Sequence, residues 1–119
     1  MRVIIAGSRQ IKDPALLEEA IRIFLTKYDI IVMVCCKADG PDTMGEDYAL
    51  AHGIPVDPYP AIWRRPDGSL DRGAGYKRNI EMAKNADALI ALWDGTSKGT
   101  AHMIAIATKR RLFRVVLNC

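Results

Sequence analysis

The chain has 119 residues, 50% of them apolar, and a formal net charge of +3, enough to close one core of domain size and too little for two. No stretch approaches the roughly 20 apolar residues that cross a bilayer, and Met1-Arg2 runs straight into Val3-Ile4-Ile5-Ala6 instead of a signal peptide, so a soluble, cytoplasmic protein without a membrane partner is expected. The adjacent Cys35 and Cys36 and the terminal Cys119 lack metal-ligand spacing, which argues for reduced thiols and against a metal site. The basic residues are scattered apart from Lys109-Arg110-Arg111, a balance that suits phosphate ligands without demanding nucleic acid.

In chain order, the pattern predicts a first strand over Val3–Ala6 and a helix starting at Asp13, a good N-cap, with Pro14 in its first turn and Leu17, Ile21, Phe24 and Leu25 on one face. A second strand is expected over Ile30–Val34. A second helix begins near Gly40-Pro41, repeats Met44, Tyr48 and Ala51 at helical spacing and stops at Gly53. The third strand, Ile54–Asp57, contains Pro55, which cannot donate to a central ladder and so belongs at a sheet edge. A third helix runs from about Gly75 to Asn85, a fourth strand over Asp87–Trp93, a fourth helix from about Gly99 to Arg110 and a fifth strand over Phe113–Leu117. Strand four is apolar at successive positions, as in a strand covered on both faces.

Strands alternating with helices, without repeats or low-complexity linkers, predict one domain over residues 1–119: a Rossmann-like α/β fold with a five-stranded parallel sheet, order 3-2-1-4-5, and helices on both faces. The switch point then lies between strands one and four, where ligands bind beyond the carboxyl ends of the strands. Two polar turns emerge there, Gly7-Ser8-Arg9 and Asp94-Gly95-Thr96-Ser97-Lys98-Gly99-Thr100. The second leads a strand into a helix N-terminus, whose unpaired N–H groups and dipole favour an anion, most often phosphate. Ser8, Ser97 and Thr100 are also ordinary capping residues, and capping uses the same N–H groups. Asp42, in the first turn of helix two, complements the helix dipole, accepts from a ribose or holds Arg9; the residues themselves do not separate these.

The long connection from Pro58 to Gly73 exceeds the length that compact domains usually leave without a function. Tyr59, Trp63, Arg64, Arg65 and Arg72 in it suit stacking on a base and reaching phosphates. Two other uses stay open: Trp63 covering the core with the arginines solvated, or a homo-oligomer interface, most simply a dimer.

Ile5-Ala6-Gly7-Ser8-Arg9, Gly40 with Asp42, Ala61 and Trp63, Ala74-Gly75 with Arg78-Asn79 and Met82, Ala86-Asp87-Ala88, and Asp94-Gly95 with Ser97-Lys98-Gly99-Thr100 together resemble the YspA-like branch of the SLOG superfamily. The likeness runs in order over nearly the whole chain. It implies a Rossmann-like domain that binds nucleotides or nucleotide-derived ligands, and it turns Arg78, which the residues alone leave open between a solvated helix charge and a ligand contact, into an expected ligand contact beside Asn79. The family pattern usually has glycine where this chain has Cys36; a side chain there limits the approach of a phosphate to the backbone, and Lys37 offers charge instead.

A more distant similarity to LOG-type phosphoribohydrolases covers Gly7-Ser8, Met44-Gly45, Arg78 with Met82, and Gly99-Thr100. The catalytic glutamate of those enzymes falls on Met103 here, beside His102, and neither supplies the carboxylate that N-glycosidic cleavage wants. His102, with no carboxylate in its own turn, is expected to be a helix-face residue. The expectation is therefore a sensor or sequestering module for a nucleotide-derived small molecule, with no cofactor. Gly7, Ser8, Arg9, Lys37, Asp42, Trp63, Arg78, Asn79, Asp94, Ser97, Lys98, Gly99 and Thr100 form its site. A nucleotide N-glycoside or phosphoribosyl hydrolase using Arg78 with an unidentified acid, Asp94 and Asp42 being candidates, is the alternative, and a nucleic-acid-binding module is third, disfavoured by the lack of an extended basic stripe.

Overall fold

The structure, a computed structural model, describes residues 1–36 and 41–119, with the backbone alone at residues 41 and 42. Its elements in chain order are β1 (Arg2–Gly7), α1 (Pro14–Leu25), β2 (Val32–Cys35), α2 (Pro41–Ala51), β3 (Val56–Pro58), α3 (Ala74–Lys84), β4 (Ala88–Trp93), α4 (Lys98–Lys109) and β5 (Phe113–Asn118). The strands pair in parallel in the order β3-β2-β1-β4-β5, the Rossmann-like arrangement expected from the sequence.

Period-two alternation sorts the side chains of the sheet into two cores. Val3, Ile5, Met33, Ala88, Ile90 and Leu92 face α1 and α2, where Leu17, Ala20, Ile21, Phe24 and Ala49 meet them. Ile4, Ala6, Val34, Leu89 and Ala91 face α3 and α4 and pack on Met82, Ala83, Met103 and Ala107. Both faces of the central strands are therefore dry, which explains the unbroken apolar run of β4.

Local chemistry sets the helix starts and stops. Asp13 accepts from the Ala15 N–H at 3.0 Å, with Pro14 following as the first helical residue of α1. Gly53, at φ 68°, ends α2 in the left-handed region that glycine enters without strain. Gly45 answers a different need: a Cβ there would stand 2.9 Å from Ile5 Cγ2, so its absence lets α2 lie directly on β1.

Three details differ from expectation. β2 starts at Val32 instead of Ile30, because Ile31 pairs with the Met1 carbonyl outside the strand ladder. Leu25 is 45% exposed, its place in the buried stripe of α1 being taken by Ala20, and Ala51 faces solvent while Ala49 is buried. Pro55 lies one residue before β3 and contributes its carbonyl to the Met33 N–H at 3.0 Å, so the edge position suits a residue that accepts but cannot donate.

Candidate functional site

The crevice between the ends of β1 and β4 is laced together by short polar side chains. Ser8 is fully buried; its N–H donates to the Leu92 carbonyl at 2.9 Å, and its hydroxyl accepts from the Asp94 N–H at 3.0 Å. Asp94 Oδ1 in turn accepts from the N–H groups of Thr96 and Ser97, both at 2.8 Å. These donors, Ser97 and then Thr96, hold the Asp94 carboxyl down at about 2 against an ordinary value near 3.8. The Thr100 N–H goes to the Ser97 hydroxyl at 3.4 Å, which caps α4. The first turn of α4 thus satisfies part of its own N-terminus, and among the described residues the Lys98 and Gly99 amides are left without a side-chain cap.

Arg78 is positioned by two hydrogen bonds. Its Nη1 donates to the Cys36 carbonyl at the end of β2 at 3.1 Å, and its Nε to Oδ1 of Asn79 at 3.2 Å. Asn79 is nearly buried, and its Nδ2 reaches the Gly99 carbonyl at 3.3 Å and His102 Nδ1 at 3.1 Å. The ring of Tyr76 stands edge-on to His102 with centroids 4.3 Å apart. Burial holds the imidazole below the usual histidine value.

Around this chain of bonds lies a cavity of about 250 Å³ lined by Arg9, Trp63, Arg72, Gly75, Tyr76, Arg78, Asn79 and Gly99. Three guanidiniums, two aromatic rings and the start of α4 meet in one concave place, groups chemically able to pair with a phosphate and to stack on a planar ring. Trp63 lies over Gly75, its Cη2 3.4 Å from where a Cβ would stand, with Arg78 Nη2 at 3.7 Å from the same point.

The connection from β3 to α3 has structure of its own. Arg64 and Leu70 form an antiparallel bridge around a turn at Gly68, and Asp71 is buried beneath it. Asp71 takes Lys77 Nζ at 2.7 Å and the Gly73 N–H at 3.0 Å, with Arg65 at 3.8 Å; Lys77 chiefly holds its carboxyl below the ordinary range. This braces a larger cavity of about 540 Å³ beyond the edge strand, with Tyr59, Ile62 and Arg64 in its wall and Arg78 shared with the crevice. The larger cavity mixes Arg64, Arg65, Lys77 and Arg78 with the carboxylates of Asp71 and Glu81, whereas the crevice has three guanidiniums and no carboxylate among its lining residues.

Of the residues singled out in the sequence, Arg9, Trp63, Arg78, Asn79 and Gly99 line the crevice together. Gly7 ends β1 opposite Leu92, while Ser8, Asp94, Ser97 and Thr100 brace the turns, Thr100 being almost fully buried. Lys98 is exposed at the first position of α4. Lys37 and the side chain of Asp42 lie outside the described residues. Met103, at the position of the hydrolases' glutamate, is 1% exposed and packs in the α3/α4 core. Tyr76 was missed, although its spacing of three from Asn79 puts both on one helix face; His102 joins the site through Asn79, a contact between two helices that spacing along one helix does not reveal.

The sheet order and helices define a Rossmann-like domain whose switch-point crevice is lined by three arginines. Residues 1–65 match the model of the YAcAr family, described as the YspA, cpYpsA-related SLOG family, and this chain belongs to that family. No curated protein matches it. Among solved structures it is similar to the DNA processing protein A (DprA) of Streptococcus pneumoniae, with a TM-score of 0.74 and 15% identity over 97% of this chain. The chain spans about half of that protein, 49% of its length, and the likeness is one of fold. Among the described residues, no helix is long and apolar enough to cross a membrane.

Proposed function

We propose that the domain binds a nucleotide or nucleotide-derived small molecule in the crevice beyond β1 and β4, as a sensor or sequestering module. One observation carries this: Arg9, Arg72 and Arg78 converge with Trp63 and Tyr76 on a single cavity at the switch point. Guanidiniums pair bidentately with phosphate, and the rings offer faces for a base. The partners of Arg78, the Cys36 carbonyl and the Asn79 amide, are neutral, so its charge stays available to an anion.

Family membership supports the ligand class. The core position of Met103 favours binding over the hydrolytic alternative, because a residue there is turned away from the crevice. The test is mass spectrometry of co-purified small molecules followed by calorimetry with the nucleotide found. Arg78→Ala is expected to weaken binding roughly tenfold to a hundredfold, the loss of about 1.5 to 3 kcal/mol from a charge-assisted hydrogen bond, with the fold intact. Unchanged affinity, or a tight DNA complex that persists at physiological salt, would replace this function with another.

A further inference from the structure

We infer that His102 is a positioning residue for Arg78, and that the crevice holds its anion-binding geometry only while His102 is neutral with the proton on Nε2. This rests on the crevice being the ligand site, and it begins with the orientation of one buried amide. Arg78 is purely a donor, so the Asn79 atom 3.2 Å from its Nε is the carbonyl oxygen. The Gly99 carbonyl is purely an acceptor, so the Asn79 atom 3.3 Å from it is the NH₂ group. Two independent partners fix the amide the same way round. The NH₂ group has two hydrogens and two neighbours, the Gly99 oxygen and His102 Nδ1 at 3.1 Å. His102 Nδ1 therefore accepts, and its proton sits on Nε2.

Protonation of His102 puts an N–H on Nδ1 facing the N–H of Asn79, two donors 3.1 Å apart. Turning the Asn79 amide over relieves that conflict, but it presents NH₂ to Arg78 Nε and removes the oxygen that orients the guanidinium. Either way the chain from α4 to Arg78 is broken.

Among the described residues that pack around the imidazole or line its crevice, none compensates an added charge. From α3 it meets Tyr76 and, through Asn79, Arg78. From β1, β4 and β5 the side chains turned toward α4 are Ile4, Ala6, Leu89, Ala91 and Val116, all apolar. The neighbouring loops bring Arg9 and Arg72 to the shared crevice, and Lys98 lies one turn earlier on α4. None of these is a carboxylate. Burial works in the same direction, since it lowers the proton affinity of the ring.

The experiment combines ¹⁵N NMR of the side chains with calorimetry using adenosine monophosphate, in the wild type, His102→Asn and His102→Leu. Asparagine keeps an acceptor near the Nδ1 position and does not titrate; leucine removes the acceptor. The Nε2–H tautomer is expected at neutral pH, with the Arg78 Nε–H and Asn79 amide signals moving at the midpoint of His102 as the pH falls. In His102→Asn those signals stay still. The affinity of the wild type for adenosine monophosphate is expected to fall roughly tenfold more than that of His102→Asn across the midpoint. The phosphate's own ionisation near pH 6 is common to both proteins and cancels. His102→Leu is expected to be weaker than wild type at neutral pH. An Nδ1–H tautomer, or Arg78 and Asn79 signals that ignore the His102 titration, would overturn the proposal. Coupled signals without binding of the nucleotide at any pH would uphold the positioning of Arg78 and sink the ligand assignment instead.

Discussion

Met103→Glu puts the hydrolytic alternative to a physical test. The residue stands where the phosphoribohydrolases resembled by this chain carry a catalytic glutamate, yet its side chain is 1% exposed and packs in the core between the sheet, α3 and α4. Replacing it removes the burial free energy of a methionine side chain, about 1.5 to 3 kcal/mol. It also strands a carboxyl group in an apolar site, at about 1 to 3 kcal/mol for a buried polar group without a partner. Together the cost is roughly 2.5 to 6 kcal/mol, a large part of the about 5 to 15 kcal/mol that holds a domain of this kind folded. With a urea slope of about 1 to 3 kcal/mol per molar, the unfolding midpoint is expected to drop by about 2 M. Met103→Leu, which keeps volume and polarity, is expected to cost less than about 1.5 kcal/mol and serves as the control. Chromatography of nucleoside monophosphates incubated with Met103→Glu is expected to show no gain in free base. A midpoint unchanged by the glutamate, or base release created by it, would mean that the side chain reaches the crevice and that the assignment of Met103 to the core is wrong.

Gly45→Ala is expected to destabilise the domain by up to about 2 kcal/mol: the new Cβ meets three atoms of Ile5 at 2.9 to 3.1 Å, an overpacking cost of about 1 to 3 kcal/mol from which the better helix propensity of alanine takes back roughly 1 kcal/mol. Urea unfolding reads the change, and a stabilised variant would show that α2 has room to move off β1. Asp94 supplies a pH window. Its carboxyl is held at about 2 in the folded state, so its contribution is complete above the ordinary carboxylate value and is lost as pH falls through about 2. Stability of the wild type relative to Asp94→Asn is therefore expected to decline from about pH 4 downward; a difference that stays flat over that window would remove the Asp94 turn from the structural account.

Period-two and helical patterns, the capping Asp13 and the punctuating Gly53 made the order and type of the elements legible in the sequence, because each depends on residues close along the chain. The sheet order followed from the handedness of crossovers and from Pro55, which restricts its segment to an edge. Which residues line the crevice was partly legible: Arg9, Trp63, Arg78, Asn79 and Gly99 sit where turns and helix starts meet the switch point. The division of labour among them was not. Ser8 and Asp94 have the residue types of a binding turn, and only their contact across 86 positions reveals that each satisfies the other's loop. Met103 and His102 are neighbours in sequence, yet a helix turns about 100° per residue, so one enters the core while the other meets Asn79. The bracing of the long connection by Asp71 likewise depends on Lys77 and Arg65 being brought together in space. Local sequence chose the elements; hydrogen bonds and packing between distant elements decided what each side chain in them touches.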